Sequence, residues 1–281
     1  MFAEIVGKRV LVTGASSGIG REIARIFGDY GAKIGIHYRS NRESAMELRA
    51  HIEKCSGKAE VFEADLLKRS DRKSLVTKFV DEFGGIDVLV NNAGACYEYR
   101  HFSEISEIAW DTMFDLHTKA PFILARDAFT HMKERGWGRI INISTASIDH
   151  AGPDNMHYWS SKAALDAITK GLAREGARHN ILVNSIRCGI VDTPMRTRII
   201  GYDEEKFAKR VSLIPLKRAG SALDIAQMVL FLSSEAGNFV TGEIIRIVDR
   251  GEGHIDFHVR FTELDVQNEL AMATPRASRE D

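Results

Sequence analysis

The run Lys8-Arg9-Val10-Leu11-Val12-Thr13-Gly14-Ala15-Ser16-Ser17-Gly18-Ile19-Gly20-Arg21 carries the residue types needed to hold a phosphate. An apolar β-type stretch, Val10 to Val12, feeds a turn containing Gly14, Gly18 and Gly20. A helical pattern then begins at once with Ile23, Ala24, Ile26 and Phe27. Glycines allow a tight backbone turn and a close approach to a pyrophosphate, and the N–H groups and positive dipole end of the next helix face its charge. Strand, glycine turn and helix together make the spacing a dinucleotide-site expectation. Gly14, Ser16, Ser17, Gly18, Ile19 and Gly20 are the expected contacts. The bland alternative is a glycine-rich turn that only joins a strand to a helix.

The end of the second strand chooses the dinucleotide. An acidic side chain about 20 residues past the glycine loop would hold the ribose 2′-hydroxyl of NAD. Here Tyr38 and Arg39 stand at that place, followed by Ser40, Asn41 and Arg42. No carboxylate repels a 2′-phosphate, and the planar fork of Arg39 matches one. The cofactor is therefore read as NADP(H), with Arg39 and Ser40 as contacts; the competing reading is a solvated arginine at a strand end.

These residues need a scaffold, and the hydrophobic pattern supplies one. Short apolar runs at Arg9–Thr13, Lys33–Tyr38, Ala59–Glu63, Val88–Asn91, Arg139–Ile143, Leu182–Ile186 and Ile244–Val248 read as strands. Helical patterns fill the gaps at Ile19–Tyr30, Arg42–Lys54, Arg72–Phe83, Trp110–Arg135, His157–Arg178 and Ala222–Leu232. Alternation of this kind predicts an α/β fold, a single Rossmann-like doubly wound domain over residues 1–251. Its seven-stranded parallel sheet has helices on both faces, with the ligand crevice at the carboxyl ends of the strands.

Bulk properties remove several classes of function. The 281 residues are 44% hydrophobic and 27% charged, with a formal net charge of −1, which gives no electrostatic case for a nucleic-acid or membrane partner. No apolar run approaches the roughly 18 residues that span a bilayer, and the N-terminus lacks a secretory pattern. Cys55, Cys96 and Cys188 are odd in number and widely spaced, so free thiols in a reducing cytoplasm are expected, none with a metal-site partner pattern and no metal site overall.

Over roughly residues 5–251 the sequence resembles the short-chain dehydrogenase/reductase family. The motifs are Thr13-Gly14-x-x-x-Gly18-x-Gly20, Asn91-Asn92-Ala93-Gly94, Tyr158-x-x-x-Lys162 and Asp192-Thr193-Pro194, in order and at family-like spacing. It looks most like the branch with 3-oxoacyl-carrier-protein reductases and glucose dehydrogenase-like enzymes. The resemblance implies that Tyr158 transfers the proton and Lys162 tunes it while holding the nicotinamide ribose. Chemistry agrees. Four residues apart on a helix, both side chains leave one face, and a lysine ammonium stabilises the phenolate of a group whose pKa is otherwise about 10.

Two positions depart from the family pattern. Thr145 stands 13 residues before Tyr158, where a serine usually bonds the substrate oxygen, with Ser144 as the fallback. His117 occupies the place of an asparagine that helps hold a proton-relay water; its imidazole either preserves the relay or only fills space and bonds locally. By the same matching, Asp65 and Leu66 meet adenine. Asn92, Ala93 and Gly94 shape the loop under the adenine ribose and nicotinamide, and Asn91 joins them or braces the sheet. Gly189, Ile190 and Thr193 grip the carboxamide, and Cys188 replaces a proline, which should loosen that turn.

Arg196 to Pro215 matches the substrate lid, read as an amphipathic helix whose basic residues are its solvated face or attract a phosphorylated or acyl-carrier substrate. Cys96, Met156 and Met195 are candidate pocket residues. Residues 252–281 form an extension, with a strand at Ile255–Phe261, a short helix at Thr262–Ala273 and a disordered tail. It packs on its own core or across a subunit boundary, or hangs loosely. The expected activity is NADP(H)-dependent interconversion of a small-molecule carbonyl and an alcohol by a cytoplasmic homo-oligomer, a tetramer by resemblance. The alternatives are a non-enzymatic NADP-binding regulator and an NAD-linked alcohol or sugar dehydrogenase.

Overall fold

Strand runs this rich in valine, isoleucine and leucine have no polar face, and a parallel sheet covered by helices on both sides is where such strands are stable. The computed structural model describes residues 2–55, 57–96, 100–149, 154–198 and 202–248. Its strands are β1 (Arg9–Val12), β2 (Lys33–Tyr38), β3 (Lys58–Glu63), β4 (Val88–Asn91), β5 (Gly138–Thr145), β6 (Ile181–Cys188) and β7 (Ile244–Ile247). All pair in parallel in the order β3-β2-β1-β4-β5-β6-β7. This is the expected doubly wound, Rossmann-like sheet. The order reverses between β1 and β4, which opens a crevice at their carboxyl ends.

Alternation along β1 sends Val10 and Val12 to one face and Leu11 to the other. The first face packs on α1 (Gly18–Asp29), α2 (Arg42–Lys54) and α8 (Ala222–Ser233). The second packs on α3 (Arg69–Phe83), α5 (Ala120–Arg135) and α6 (Met156–Gly176). Two full hydrophobic layers therefore clamp the sheet and fix the strand ends that carry the site.

The helix expected over Trp110–Arg135 is three pieces. It starts earlier, as α4 (Glu107–Phe114), because the Ser106 hydroxyl caps it by accepting from Ala109 N at 3.2 Å. A π-helical turn follows at Asp115–Lys119, then α5 begins with Pro121 in its first turn. Proline has no N–H to return to the carbonyl four residues back, and its ring crowds that carbonyl, which belongs to His117; the widened turn relieves the conflict. The amphipathic helix expected in the segment matched to a lid is α7 (Glu204–Leu213), capped by Asp203 accepting from Lys206 N at 3.0 Å. β5 and β6 run further than the apolar pattern, so that Thr145 and Cys188 pair on the sheet. The strand and helix expected in residues 252–281 lie outside the described residues.

Candidate active site

Each glycine of the loop answers a different steric demand. Gly14 and Gly18 sit at φ +65° and +57°, in the left-handed region that side chains avoid. Gly20 is inside α1, where a Cβ would fall 2.5 Å from the Gly14 carbonyl oxygen and onto the Asn92 amide. That amide donates to Thr13 O at 2.8 Å and Gly14 O at 3.2 Å, and the Thr13 hydroxyl accepts from Asn92 N and Ala93 N at 2.9 and 3.0 Å. The loops after β1 and β4 are thus sewn together. At the α1 N-cap, Ser17 makes no side-chain bond to the first-turn N–H groups. Bare backbone at the turn and uncapped helix N–H groups beside Ser16 and Ile19 fit a dinucleotide pyrophosphate.

A residue that the sequence reading passed over holds this loop from below. His37, on β2 and 2% exposed, accepts from Gly14 N through Nδ1 at 2.9 Å and donates from Nε2 to Ala64 O at 3.0 Å. The pair of bonds requires the neutral Nε2–H tautomer. Burial lowers its pKa from 6.5 to about 4. The unfolded chain therefore takes up the extra proton first. His37's contribution is whole above pH 6.5 and disappears as pH falls towards 4, up to about 3 kcal/mol. Thermal unfolding of the native chain should accordingly lose more between pH 6.5 and 4 than that of His37→Asn, whose amide oxygen can still accept from Gly14. Parallel pH profiles of the two would refute this role.

The crevice bounded by these loops has a volume of about 310 Å³. Arg39 and Ser40 line it at the end of β2, and Asp65 and Leu66 line it at the end of β3. Asp65 braces its own turn, accepting from Leu67 N at 3.0 Å and donating its own N–H to Asp71 at 2.9 Å. Ala93, Gly94, Cys96 and Met195 complete the walls towards β4 and the lid. Asn91 does not reach the crevice. It is 3% exposed, and its amide bonds Asn142 at 2.9 Å, which bonds Thr169 on α6 at 2.8 Å, so it braces the sheet.

α6 carries the candidate chemistry. Tyr158 lies in its first turn, half-buried, its ring perpendicular to that of His117 at 5.3 Å between centroids. One turn on, Lys162 is 4% exposed and donates to Ile143 O at 2.6 Å. Burial draws its pKa down to about 8. Thr145 closes β5, its hydroxyl donating to Ser147 Oγ at 3.1 Å and accepting from Ser147 N at 3.2 Å.

His117 is fully engaged. Its Nε2 accepts from Ala95 N at 3.1 Å, and Nδ1 donates at 3.0 Å to Ser161 Oγ, which itself donates to Tyr158 O at 2.7 Å. Burial beside Lys162 pushes its pKa well below 6.5. A neutral ring with both nitrogens spent ties the Gly94–Ala95 loop to α6, which favours local bonding over proton relay. The space beside Gly94 is tight, since a Cβ would lie 3.1 Å from that Nε2 and press on the ring.

The last group comes from the loop after β6. Gly189 N donates to Ile247 O at 3.0 Å, Ile190 O accepts from Gly220 N at 2.8 Å, and the Thr193 side chain faces bare Gly18. Cys188 pairs with Thr145 on one side and Ile247 on the other, so it continues the ladder instead of loosening a turn. Burial pushes its thiol up to about 12, which makes it inert. In the lid, Arg196 bonds Asp192 at 2.7 Å, pairs with Glu204 and Tyr202, and stacks 4.3 Å from the Phe207 ring. Its charge is committed to the lid's own fold.

Geometry and ancestry point the same way. The family model described as enoyl-(acyl carrier protein) reductase matches residues 14–252. Nodulation protein G of Rhizobium sp. (strain N33) is 34% identical over 87% of this chain and 96% of its own. The 3-oxoacyl-(acyl-carrier-protein) reductase FabG of Thermotoga maritima is 33% identical over 86% and 96%. Among solved structures, a blue fluorescent protein from a metagenomic library, in complex with NADPH, superposes with a TM-score of 0.80 at 31% identity, covering 87% of this chain and 98% of that one. The chain belongs to the short-chain dehydrogenase/reductase family of oxidoreductases. Among the described residues, no helix is long and apolar enough to cross a membrane.

Proposed function

We propose that the protein is an NADP(H)-dependent oxidoreductase that interconverts a ketone or aldehyde with an alcohol, acting on a 3-oxoacyl thioester or a small carbonyl compound. The observation that carries this reading is the Tyr158–Lys162 pair, one turn apart on α6, with Lys162 buried against the end of β5 beside Thr145. NADP(H), when bound, supplies or accepts the hydride. The glycine loop, Arg39 and Ser40, and Asp65 and Leu66 hold its pyrophosphate, 2′-phosphate and adenine ends. Gly189, Ile190 and Thr193 grip the nicotinamide end. Thr145 donates a hydrogen bond to the carbonyl oxygen, and Tyr158 gives that oxygen its proton. The Lys162 ammonium stabilises the phenolate left behind, and His117 holds the loop and helix in register without moving a proton.

Support for NADP(H) over NAD comes from Arg39, with no carboxylate at the end of β2, and from the NADPH bound by the metagenomic relative. Support for an acyl-thioester substrate comes from the name of the Thermotoga relative alone. We further infer a homotetramer, supported by exposed Ile108, Trp110 and Phe122 on α4 and α5, and residence in a reducing cytoplasm, supported by the unbridged thiols of Cys55 and Cys188.

Absorbance of NADPH and NADH during incubation with ketones, β-ketoacyl thioesters and sugars tests the activity. Turnover with NADPH preferred is the expected result, and tight binding without turnover across the panel would point to a regulator. Losing the fork of Arg39 removes a charge-assisted hydrogen bond of about 1.5–3 kcal/mol, so Arg39→Ala should weaken NADPH by roughly 10–100-fold and leave NADH within a few-fold. Equal losses for both cofactors would overturn the 2′-phosphate role.

A further inference from the structure

A second cluster of reactive side chains sits at the far end of α1, about 18 Å of helix away from the glycine loop. Asp29 ends α1, while His51 and Cys55 lie four residues apart at the end of α2. The two helices can meet there because of Gly28: a Cβ on it would lie 2.6 Å from the Ile52 side chain, and Ile52 is fully buried between Gly28 and Gly57. Gly57 N donates to Ile52 O at 3.1 Å and locks the end of α2 in place. The residues flanking this contact, Asp29 on one helix and His51 on the other, are thereby fixed opposite each other, with Cys55 one turn along.

The donor atoms converge on one point. His51 Nε2 is 3.3 Å from Asp29 Oδ1 and 4.0 Å from Cys55 Sγ, and all three atoms lie within 4.8 Å of one another. Around a tetrahedral zinc ion, bonds of about 2.0–2.3 Å put neighbouring donors roughly 3.3–3.6 Å apart. The Asp29–His51 pair already meets that spacing; Cys55 Sγ has to close a few tenths of an ångström on the imidazole and up to about 1.3 Å on the carboxylate, a shift within reach of its χ1 rotation at the exposed end of α2. Arg25 holds the other carboxylate oxygen of Asp29, which leaves Oδ1 turned towards the imidazole. Metal ligands are commonly oriented in this way by an outer partner.

We propose that Asp29, His51 and Cys55 form a zinc site, with water as the fourth ligand, that staples the end of α1 to the end of α2. The sequence reading gave Cys55 no metal-site partner; in space it has two, one of them from another helix. A carboxylate and a thiolate neutralise the dication, the mixed S/N/O set matches zinc's preference, and binding releases the thiol proton to solvent. The site lies outside the cofactor crevice, so its effect is on stability and not on hydride transfer.

Metal-free full-length chain titrated with Co2+, then with Zn2+, tests this. One equivalent of Co2+ should give tetrahedral visible bands and a near-ultraviolet thiolate-to-cobalt charge-transfer band, both displaced by Zn2+. Cys55→Ser should abolish the charge-transfer band. His51→Ala should weaken Co2+ by more than the ~10–100-fold that loss of an outer-shell partner costs. Zn2+ should raise Tm of the native chain but not of Cys55→Ser, with NADPH turnover equal in both. A charge-transfer band that survives in Cys55→Ser would assign the metal to another cysteine and overturn the proposal. So would an absent band in the native chain, or a Zn2+-induced Tm rise that both proteins share.

Discussion

Replacing Tyr158 by Phe should lower turnover with NADPH by about 10²–10⁴-fold, the range that a positioned proton donor contributes. The ring is retained, so its perpendicular contact with His117 and the backbone bond from Ser161 to Tyr158 O remain. Only the hydroxyl leaves. The glycine cradle is built by the loops after β1 and β4, sewn together through Thr13 and Asn92, and NADPH affinity measured by fluorescence titration should stay within a few-fold. At about 1.4 kcal/mol per decade the loss amounts to roughly 3–5 kcal/mol of transition-state stabilisation. Turnover that persists in Tyr158→Phe would remove the residue from the chemistry. A parallel collapse of NADPH binding would show that its role is structural.

Gly20→Ala sets two effects against each other. Alanine is the better helix former by about 1 kcal/mol, and Gly20 lies inside α1, so local propensity alone calls for stabilisation. The new Cβ would fall 2.5 Å from the Gly14 carbonyl oxygen. That oxygen belongs to backbone held by Asn92 and cannot swing aside. Overpacking of this kind costs about 1–3 kcal/mol, so the clash wins. The atoms it displaces are those that shape the phosphate cradle. The variant should lose Tm and bind NADPH at least about 10-fold more weakly. Gly171→Ala provides the contrast: it is also inside a helix, α6, but its Cβ would meet nothing within 4 Å. Tm should rise there, and a rise in both variants would refute the steric account.

Much of this protein can be read along the chain. Strand runs such as Val10–Val12 and Val88–Val90 declare a covered parallel sheet because a strand buried on both faces has no room for polar alternation. The glycine turn and the Tyr158–Lys162 spacing are equally local, each complete within one turn or one loop. Tertiary structure decided the rest. His37 looks like any strand residue until β1 lies beside β2 and brings Gly14 N, 23 positions back, onto its ring. His117 had two equal readings, and the bond that weighs towards local bonding comes from Ser161, 44 residues on. The widened turn at Asp115–Lys119 needed the conflict between Pro121 and the His117 carbonyl, and the lid's Arg196 needed its partners to fold around it. Asp29, His51 and Cys55 became neighbours only through Gly28, where a missing side chain lets two helices touch. Hydrophobic period and motif spacing report on contacts within about four residues; hydrogen bonds and ligand clusters between elements depend on which elements the sheet order places side by side.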